Sequence, residues 1–599
     1  MKKITIGLSV LVLLPLLAMG QNLIINTTNR ITKSLDGSWH YIVDPYETGF
    51  YNFHAKPYEE DNPNASAAFY NNFHTNDKTA LVEYDFDKSP ALKVPGDWNT
   101  QKTDLFYYEG TIWLKRSFDY KLKEGRRLFV YFGAINYKAD VYLNGKKLGT
   151  HTGGFTSFNF EITGIVKPKD NYLVVKVDNK RIKEGVPALS TDWWNYGGIT
   201  RSVTLVEEPN SFIRDYDIQL KKGSKDILTG YLQMDNVAMA GKAVINIPEL
   251  KIEQPVTYDV NGYGSFEINA GNIQYWSPAQ PKLYNVIIKT DWQKIKDEIG
   301  FRTTETKGAD ILLNGQPVFL KGISIHEDYK GRRAYSETDA VALLSLAKEL
   351  GCNYVRLAHY PHNEYMLKQA DKMGLMVWEE IPVYWTIDFD NPSVYNNARN
   401  QLTEAITRDK NRASIIIWSM ANETPVTSSR NKFITNLAHY TRSLDSTRLI
   451  SAALLTRSEN GINIVDDTLG AVVDVVAFNQ YRGWYGGNLE TAPDAKWFCP
   501  YNKPIVVSEF GGGALQGKHG DKTERWTEEY LVYLYKQNIA MLDKIINLRG
   551  MSPWILMDFR SPRRLLPGVQ DGFNRKGLVS DKGIKKQAFF VLRDYYKRK

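Results

Sequence analysis

The sequence predicts a multidomain protein that joins β and α/β structure: an N-terminal jelly-roll β-sandwich, an immunoglobulin-like β-sandwich and a C-terminal (β/α)8 TIM barrel. Three observations predict this order. The chain has 599 residues, which is too long for one hydrophobic core. Up to residue 303 it alternates like strands, with almost no helical periodicity. Beyond that point strand-like and helix-like segments follow one another in turn, which is typical of a barrel.

Residues 1–20 have the pattern of a secretory signal peptide. Two lysines precede a short apolar run that ends in the small-residue pattern Ala18-Met19-Gly20, so we expect cleavage before Gln21. The run is short for a membrane span, and a retained anchor is the alternative interpretation. No cysteine that could carry a lipoprotein anchor lies near the cleavage site. We therefore expect a secreted or periplasmic protein with no membrane span.

Composition and charge argue against several other classes of protein. The hydrophobic content of 43% and the charged content of 24% are ordinary for a globular protein. The basic residues are scattered, so the formal net charge of +8 predicts solubility and no nucleic-acid partner. Cys352 and Cys499 are the 2 cysteines, and the sequence has no zinc-type Cys/His cluster and no glycine-rich phosphate loop. We expect no metal and no cofactor, and homo-oligomer formation stays open.

Residues 21–208 and 209–303 are predicted to form the two sandwiches. The first segment contains strand-like runs such as RRLFVYFGAI, KADVYLNGKKLGTH and NYLVVKVDN. Its Asn144-Gly145 pair stands between two such runs and is a strong hairpin signal. The second segment has shorter strands, and its length of roughly 95 residues suits a small immunoglobulin-like sandwich.

Residues 304–599 are predicted to form the barrel. Eight strand-like runs can be drawn: PVFLKGISI, NYVRLAH, LMVWEEI, SIIIWSMANE, LISAALL, VVDVVAFNQY, PIVVSEF and MSPWILMDF. Helix-like segments lie between most of them. For example, SETDAVALLSLAKELG has a serine cap, helical apolar spacing and a terminal glycine. Eight βα units in this length fit one closed barrel.

Two glutamates at the ends of predicted barrel strands are the strongest functional signal. Glu423 ends the run SIIIWSMANE, and Glu509 follows the run PIVVS. Unbroken apolar runs predict strands buried on both faces, and the carboxyl ends of barrel strands carry catalytic residues. Two carboxylates that face one cleft are the working groups of a glycosidase, where one protonates the leaving oxygen and the other acts across the sugar ring. Their separation decides between retention and inversion, and the sequence does not give that distance.

Other polar and aromatic side chains lie at the ends of the same strands and should meet at one mouth of the barrel. Tyr481 is a candidate to hold one carboxylate ionised through a hydrogen bond. For Glu379, Glu380 and Asp328 we favour satisfied polar groups or ion-pair partners over a catalytic role. The remaining candidates at these strand ends are His326, Glu327, His359, Asn422, Asn479 and Trp554.

Eight runs of the sequence match motifs of one enzyme family. They are VPGDWN (94–99), YYEGTIWLKRSF (107–118), DVYLNGKKLGTHTGGFTSF (140–158), NYGGITRSV (195–203), GFRT (300–303), NYVRLAHYPH (353–362), MANE (420–423) and SEFG (508–511). Through them nearly the whole chain after residue 20 resembles the family 2 glycoside hydrolases. The resemblance implies a sugar-binding first sandwich and a retaining mechanism with Glu423 as acid/base and Glu509 as nucleophile. For the glucuronidase branch of the family, no metal is implied for catalysis.

Two further runs resemble the glucuronidase branch of this family. They are NQYRGWY (479–485) and FNRKG (573–577). Asn574 and Lys576 match the asparagine and lysine that hold the sugar carboxylate in that branch, and a cation beside a polar donor is what carboxylate recognition requires. Asp192, in TDWWNYGG, matches an aspartate that reaches the sugar. The resemblance therefore implies substrate-binding roles for these three residues.

The sequence predicts an exo-acting enzyme whose carbohydrate substrate is a terminal β-glucuronide, and two alternatives stay open. A β-galactosidase or another exo-β-glycosidase of the same family would use the same glutamates, with Lys576 as an ordinary lining residue. One departure bears on that choice: members of the branch often have an arginine where this chain has Gln570, and its nearest arginines on that side are Arg563 and Arg564. A non-catalytic carbohydrate-binding protein is the alternative of another class, and the intact pair of glutamates argues against it.

Overall fold

The computed structural model describes residues 23–599. The predicted signal peptide at residues 1–20 lies outside the described residues. Within residues 23–599, none of the helices has both the length and the apolar character that a bilayer crossing requires.

The first sandwich consists of two antiparallel sheets. The six-stranded sheet has the spatial order Ala91–Val94, Gly37–Val43, Thr111–Phe118, Asn171–Asp178, Lys138–Leu143 and Lys146–Thr152. The four-stranded sheet has the order Ile31–Ser34, Val203–Pro209, Arg126–Phe132 and Phe158–Glu161. Asn144 and Gly145 make the predicted hairpin turn with φ values of 53° and 81°, the left-handed backbone that such a two-residue turn requires. Two helical turns, Tyr58–Asp61 and Trp98–Gln101, lie in its loops.

The second sandwich also packs one antiparallel sheet on another. The three-stranded sheet has the order Phe212–Leu220, Ile227–Asp235 and Tyr263–Asn269. The four-stranded sheet has the order Ile252–Tyr258, Gly241–Ile247, Tyr284–Lys289 and Lys294–Ile299. Alternate residues of both sheets, such as Ile218, Ile245 and Val286, form its core. We propose domain boundaries after residues 208 and 303, since each falls beside a change of sheet.

The barrel is closed by eight parallel strands, and a small sheet formed by Thr304–Lys307, Asp310–Leu313 and Gln316–Pro317 precedes it. The first barrel strand is split into two pieces, of which one pairs with the eighth strand and the other with the second. In chain order the strands are Leu320–Lys321 with Ser324–Ile325, Tyr354–Leu357, Met376–Glu380, Ile415–Asn422, Leu449–Leu454, Val475–Asn479, Ile505–Glu509 and Leu548–Met551. The predicted fold class is confirmed.

Six α-helices surround the barrel, so the βα repeat is less regular than the sequence predicts. They are Glu337–Glu349, Glu364–Met373, Pro392–Asp409, Ser428–Leu444, Glu528–Leu542 and Gln587–Arg598. The first helix begins with a capping box between Ser336 and Asp339. No α-helix lies between the fifth, sixth and seventh strands in the described chain. That region holds the 3-10 turns Thr468–Ala471 and Ala492–Asp494 and a sheet of Arg457–Glu459, Ile462–Ile464 and Lys496–Phe498.

The eighth strand lies earlier in the chain than predicted. The run MSPWILMDF predicts a strand over residues 551–559, whereas the strand is Leu548–Met551, which pairs with the seventh strand and with Leu320. Trp554 therefore belongs to the loop that follows. The prediction was wrong because this apolar run is buried in the mouth of the barrel rather than in its sheet, and burial alone does not distinguish the two.

Residues 191–201 of the first sandwich reach the mouth of the barrel. Trp194 donates its backbone N–H to the carbonyl of Arg560 at 3.0 Å. The hydroxyl of Tyr196 donates to Asp328 at 2.6 Å, and Arg201 forms a buried ion pair with Glu327 at 3.0 Å. These contacts fix the position of Asp192 over the barrel. Two short hairpins, Asp328–Tyr329 with Arg332–Arg333 and Phe559–Arg560 with Phe573–Asn574, complete the rim.

Candidate active site

Glu509 is the last residue of the seventh barrel strand and is buried. Its Oε1 accepts a hydrogen bond from Nη1 of Arg356 at 2.7 Å, and its Oε2 accepts one from the hydroxyl of Tyr481 at 2.5 Å. Burial, and then the neighbouring charge of Glu509, raise the pKa of Tyr481 well above its usual value, so its hydroxyl remains a donor. Both oxygens of the carboxylate therefore have a hydrogen-bond donor, which fixes the orientation of the side chain.

Glu423 directly follows the fourth barrel strand and has a left-handed backbone with φ of 49°. Its N–H donates to the carbonyl of Ala453 in the fifth strand at 2.9 Å, which keeps the residue at the mouth of the barrel. Burial, and then the charge of Glu509, raise the pKa of Glu423. Nε1 of Trp385 donates to its Oε2 at 2.9 Å. A carboxyl with a raised pKa holds its proton closer to neutral pH, as a general acid must.

Arg356, in the second barrel strand, joins the carboxylates of the site and was not among the predicted residues. It is fully buried, and Nη1 pairs with Glu509 while Nη2 donates to Glu380 at 2.9 Å and to Asn422 at 2.8 Å. Burial would lower the pKa of this guanidinium, but the charges of Glu380 and Glu509 outweigh it and raise the pKa. An arginine within the apolar run NYVRLAH was the available signal, because a buried charge needs partners.

His359 and Trp554 lie beside Glu509 and pack on each other. Nδ1 of His359 lies 2.8 Å from Oε1 of Glu380, and its Nε2 lies 3.8 Å from Oε1 of Glu509. The ring of Trp554 stacks on that of His359, with centroids 4.8 Å apart. Trp193 of the first sandwich also contacts His359, at 5.6 Å between ring centroids. The structure thus brings both predicted residues to the glutamates.

Asn422, which directly precedes Glu423, and Asn479, which ends the sixth barrel strand, lie side by side at the mouth of the barrel. Nδ2 of Asn479 donates to Oδ1 of Asn422 at 3.3 Å, and Oδ1 of Asn479 accepts from Ser508 at 2.7 Å. Nδ2 of Asn422 is buried without a hydrogen-bond partner in the described chain. A buried donor without a partner is costly, so this amide is suited to a substrate hydroxyl.

The other acidic residues at the strand ends have structural partners. Burial, and then Asp409, raise the pKa of Glu379 well above its usual value, and its side chain lies beside Arg408. Burial raises the pKa of Asp328 to about 7, and this carboxyl accepts from Tyr196. Glu380 also has ion-pair partners, and these are the site residues Arg356 and His359. There burial raises its pKa, and the charge of Arg356 more than reverses that effect.

Glu327 and His326, at the end of the first barrel strand, are also buried. Burial opposes the charge of Glu327, but Arg201 and Arg333 lower its pKa to about 2. Nδ1 of His326 lies 3.1 Å from the hydroxyl of Tyr360. Burial, and then His359, lower the pKa of His326 well below its usual value, so it is a neutral ring. Neither residue contacts Glu423 or Glu509 through a hydrogen bond.

Asp192 is held by barrel residues, so it links the first sandwich to the loop that follows the eighth strand. Its Oδ1 accepts from Ser561 at 2.6 Å and from Nε of Arg564 at 2.9 Å. Its Oδ2 accepts from Nη2 of Arg564 and, at 3.1 Å, from Nδ2 of Asn574. That Asp192 reaches a sugar stays a prediction. In the structure it orients Asn574.

Lys576 is a buried cation without a carboxylate partner among residues 23–599. Its side chain is 4% exposed, and Nζ donates to the hydroxyl of Tyr485 at 2.7 Å. The same ammonium lies 5.3 Å from the ring centroid of Tyr481 and 4.9 Å from that of Tyr485. Tyr481 is the residue that donates to Glu509, so one aromatic ring separates the ammonium of Lys576 from that carboxylate.

One group of residues in the described chain has the spacing of a metal site, and it lies outside the barrel. His74, Asp85 and Asp87 are on the first sandwich, and Asp87 also pairs with Lys115 at 2.7 Å. Their exposed carboxylates are typical of a solvated surface. The glutamates of the barrel have arginine, tyrosine and tryptophan partners instead.

Comparison with known proteins agrees with this geometry. The family model described as "Glycosyl hydrolases family 2, TIM barrel domain" matches residues 304–547, and that described as "Glycosyl hydrolases family 2, sugar binding domain" matches residues 32–209. The chain belongs to glycosyl hydrolase family 2. Together the two matches span more than half of its length. It is therefore an O-glycosyl hydrolase of the exo-β-glycosidase type, as the sequence predicts.

Several relatives have uronide-related names. A putative β-glucuronidase of Formosa agariphila is 29% identical over 573 residues, which are 85% of this chain and 67% of that protein. The structure of a β-glucuronidase from an uncultured Clostridium sp. has a TM-score of 0.81 at 25% identity, covering 95% of this chain and 98% of that one. A β-galacturonidase from Eisenbergiella tayi bound to galacturonate has a TM-score of 0.77 at 25% identity, with the same coverage.

Proposed function

We propose that this protein is a retaining exo-β-glucuronidase. In the first step Glu423 protonates the glycosidic oxygen while Glu509 attacks the anomeric carbon, and the aglycone leaves with that proton. In the second step Glu423, now ionised, removes a proton from water, which attacks the anomeric carbon and releases Glu509. The two inversions together retain the β configuration.

The contacts of the two glutamates support these different roles. Glu423 has a raised pKa, caused first by burial and then by Glu509. Glu509 accepts hydrogen bonds from a guanidinium and a tyrosine hydroxyl, which hold its carboxylate in a fixed position for attack. Once the covalent intermediate forms, the charge of Glu509 disappears. The pKa of Glu423 should then fall, which suits its second role as a base.

The observation that carries the choice of sugar is the buried Lys576, which has no carboxylate partner in the described chain. A C6 carboxylate would pair with its ammonium and accept from a neighbouring donor such as Asn574, giving charge-assisted hydrogen bonds. A neutral galactose or glucose would leave the cation buried without an anion, which is unfavourable. The names of the relatives support a uronide. The β-galacturonidase among the solved structures makes the C4 epimer the second candidate.

The test is a panel of 4-nitrophenyl glycosides: β-glucuronide, β-galacturonide, β-galactoside and β-glucoside. We expect kcat/KM for the glucuronide to exceed that for the glucoside by about ten- to a hundredfold, since a charge-assisted hydrogen bond contributes about 1.5–3 kcal/mol. The Glu509→Gln variant serves as the control for contaminating activity. The first sugar released should be the β anomer by NMR.

Each outcome of the panel has a distinct meaning. A preference for the galactoside would end the glucuronidase proposal and leave the two glutamates as a retaining pair. A preference for the galacturonide would keep Lys576 as the carboxylate site and change the epimer. No turnover of any glycoside, with binding retained, would favour a carbohydrate-binding protein. We also propose that the enzyme is secreted or periplasmic, and detection of a chain that begins at Gln21 would test this.

A further inference from the structure

A cavity of about 220 Å³ is lined in part by Asn574 and Lys576, and neither Glu423 nor Glu509 lines it. The other residues that define its shape are Trp484, Tyr485, Arg525 and Trp526. This volume is enough for a sulfate group or for part of a second sugar ring. There is therefore room for a further group beside the residues proposed to bind the sugar's carboxylate.

The lining of this cavity carries more positive charge than its partners neutralise. Arg564 pairs with Asp192, and Arg575 pairs with Asp581. Lys576 and Arg525 have no carboxylate partner within residues 23–599. Arg525 lies over the ring of Trp484, at 5.3 Å from its centroid, and Nη2 is 3.4 Å from the carbonyl of Gly483. No acidic residue lines the cavity, so one anion at Lys576 would still leave a cation free.

The aromatic wall of the cavity is fixed by the loop that follows the nucleophile. The rings of Trp484 and Trp526 are perpendicular, with centroids 4.8 Å apart. A Cβ on Gly512 would come within 2.9 Å of Trp484, and one on Gly513 within 2.6 Å of Trp526. Glycine at both positions therefore lets the two rings pack directly on the backbone. This wall is preformed, and aromatic faces are surfaces on which sugars pack.

We propose that this cavity is a second anion subsite, which binds a negatively charged group attached to the same uronic acid that Lys576 holds. This inference rests on the proposed function. The attachment point follows from sugar chemistry, since the hydroxyl next to the C6 carboxylate on the non-reducing side is O4. A sulfate ester or a second uronic acid at O4 would extend past Lys576 toward Arg525. The substrate class is therefore an acidic glycan in which the uronic acid at the cleaved bond carries a further charge at O4. A sulfate ester there leaves that uronic acid terminal, whereas a second uronic acid there would make the released product a disaccharide.

Three 4-nitrophenyl β-glucuronides test the inference: the plain glycoside, its 4-O-sulfate, and the disaccharide with a second uronic acid at O4. Each is measured with wild type, Arg525→Ala and Lys522→Ala. Lys522 is an exposed lysine near Arg525 that does not line the cavity, so it controls for net charge. Binding to Glu509→Gln by titration calorimetry gives a second readout that needs no turnover.

We expect at least one substituted glycoside to be cleaved with a kcat/KM no lower than that of the plain one. Arg525→Ala should lower the ratio of substituted to plain kcat/KM by about three- to tenfold, a modest effect because Arg525 is exposed. Lys522→Ala should leave this ratio unchanged. Cleavage of the sulfate alone would identify a compact anion as the occupant, and cleavage of the disaccharide would identify a sugar residue.

Two results would overturn the inference while the proposed function stands. One is turnover of the plain glucuronide with neither substituted glycoside cleaved. The other is a ratio of substituted to plain kcat/KM that is the same in wild type and in Arg525→Ala. If the plain glucuronide is not cleaved, the proposed function fails separately, and calorimetry decides the subsite. Weaker binding of both substituted glycosides than of the plain one would then refute it, whereas tighter binding that is lost in Arg525→Ala would support it.

Discussion

Replacing Lys576 with methionine should raise the stability of the free protein and lower its activity on glucuronides. Methionine keeps the length and apolar stem of the side chain and removes the charge. Lys576 is 4% exposed, and the polar partner of its ammonium in the described chain is the hydroxyl of Tyr485 at 2.7 Å. Tyr485 is itself 61% exposed, so water can replace the lost hydrogen bond.

The size of both effects follows from these contacts. Burial of a charge without a counter-ion costs several kcal/mol, of which the hydrogen bond and the two tyrosine rings offset part. We therefore expect Lys576→Met to raise the free energy of unfolding by about 1–3 kcal/mol. The charge-assisted bond to the substrate's carboxylate is worth about 1.5–3 kcal/mol, so kcat/KM for the glucuronide should fall about ten- to a hundredfold.

The assay compares the variants Lys576→Met, Lys586→Met and Lys582→Met with wild type, by thermal unfolding and by kcat/KM on the glucuronide and the glucoside. Lys586 is fully buried like Lys576, but its Nζ pairs with Asp558 at 2.8 Å. Lys586→Met should therefore destabilise the protein by about 3–5 kcal/mol, because it removes the nearest cation of the buried Asp558 and leaves only Arg575, at 3.4 Å, to balance that charge. Lys582 is exposed, and Lys582→Met should change neither property.

The decisive result is the sign of the change in the free energy of unfolding of Lys576→Met. A Lys576→Met variant as unstable as Lys586→Met would mean that the charge of Lys576 has a partner in the folded protein. An unchanged ratio of glucuronide to glucoside turnover would mean that another group reads the carboxylate. Either result refutes the argument that this lysine is held without a counter-ion for the substrate.

The remaining predictions concern the glutamates and the pH response. Glu509→Gln should lose activity by several orders of magnitude while circular dichroism shows an unchanged fold, and retention of a tenth of the activity would exclude it as nucleophile. Glu423→Ala should slow glucuronides with poor leaving groups far more than nitrophenyl ones, and azide should restore turnover. Equal losses without rescue would count against the acid/base role. Trp385→Phe removes a hydrogen bond that favours ionised Glu423, so the alkaline limb of kcat/KM should move to higher pH, and a downward shift would contradict this. Burial raises the pKa of Asp328 to about 7. Its contribution to stability is therefore full below about pH 4 and is lost as the pH rises through 7. The melting temperature of Asp328→Asn should fall less between pH 5 and pH 8 than that of wild type. Parallel falls in the two proteins would contradict a raised pKa of Asp328.

The two glutamates could be predicted because a local pattern determines both their strand and their side of the barrel. An apolar run specifies a buried strand, and the residue that ends it must lie at the carboxyl end of the sheet. Glu509 is the last residue of its strand and Glu423 is the first after its own. Neither position depends on a contact with a distant part of the chain.

Arg356 could not be predicted in the same way, because its role depends on three other strands. Its acceptors Glu380, Asn422 and Glu509 are up to 153 residues away in the sequence. The sequence shows that an arginine occurs in an apolar run, but not which carboxylates neutralise it. The same limit applies to Trp385, which follows the third strand and donates to Glu423 from a loop.

Lys576 shows the opposite case, in which the residue could be predicted but its environment could not. In the sequence it stands in a loop with several basic residues, where exposure is the usual outcome. In the structure Lys576 is buried and donates to the hydroxyl of Tyr485, whereas the neighbouring Arg575 forms an ion pair with Asp581. Long-range packing therefore distinguishes two cations that the sequence presents as equivalent.

Residues 191–201 of the first sandwich lie in the mouth of the barrel, so the barrel depends on the first sandwich for several of its buried contacts. A barrel produced alone would lose Arg201 opposite Glu327 and Tyr196 opposite Asp328. Glu327 would keep only Arg333 as a charged partner, and Asp328 would lose the hydroxyl that donates to it. Asn574 would lose the aspartate that orients it. We therefore expect the first sandwich and the barrel to unfold together. A chimera that takes its first sandwich from a relative should fail to fold unless the residues that make these contacts are transferred as well. Inactivating substitutions should accordingly occur in the sandwich as well as in the barrel.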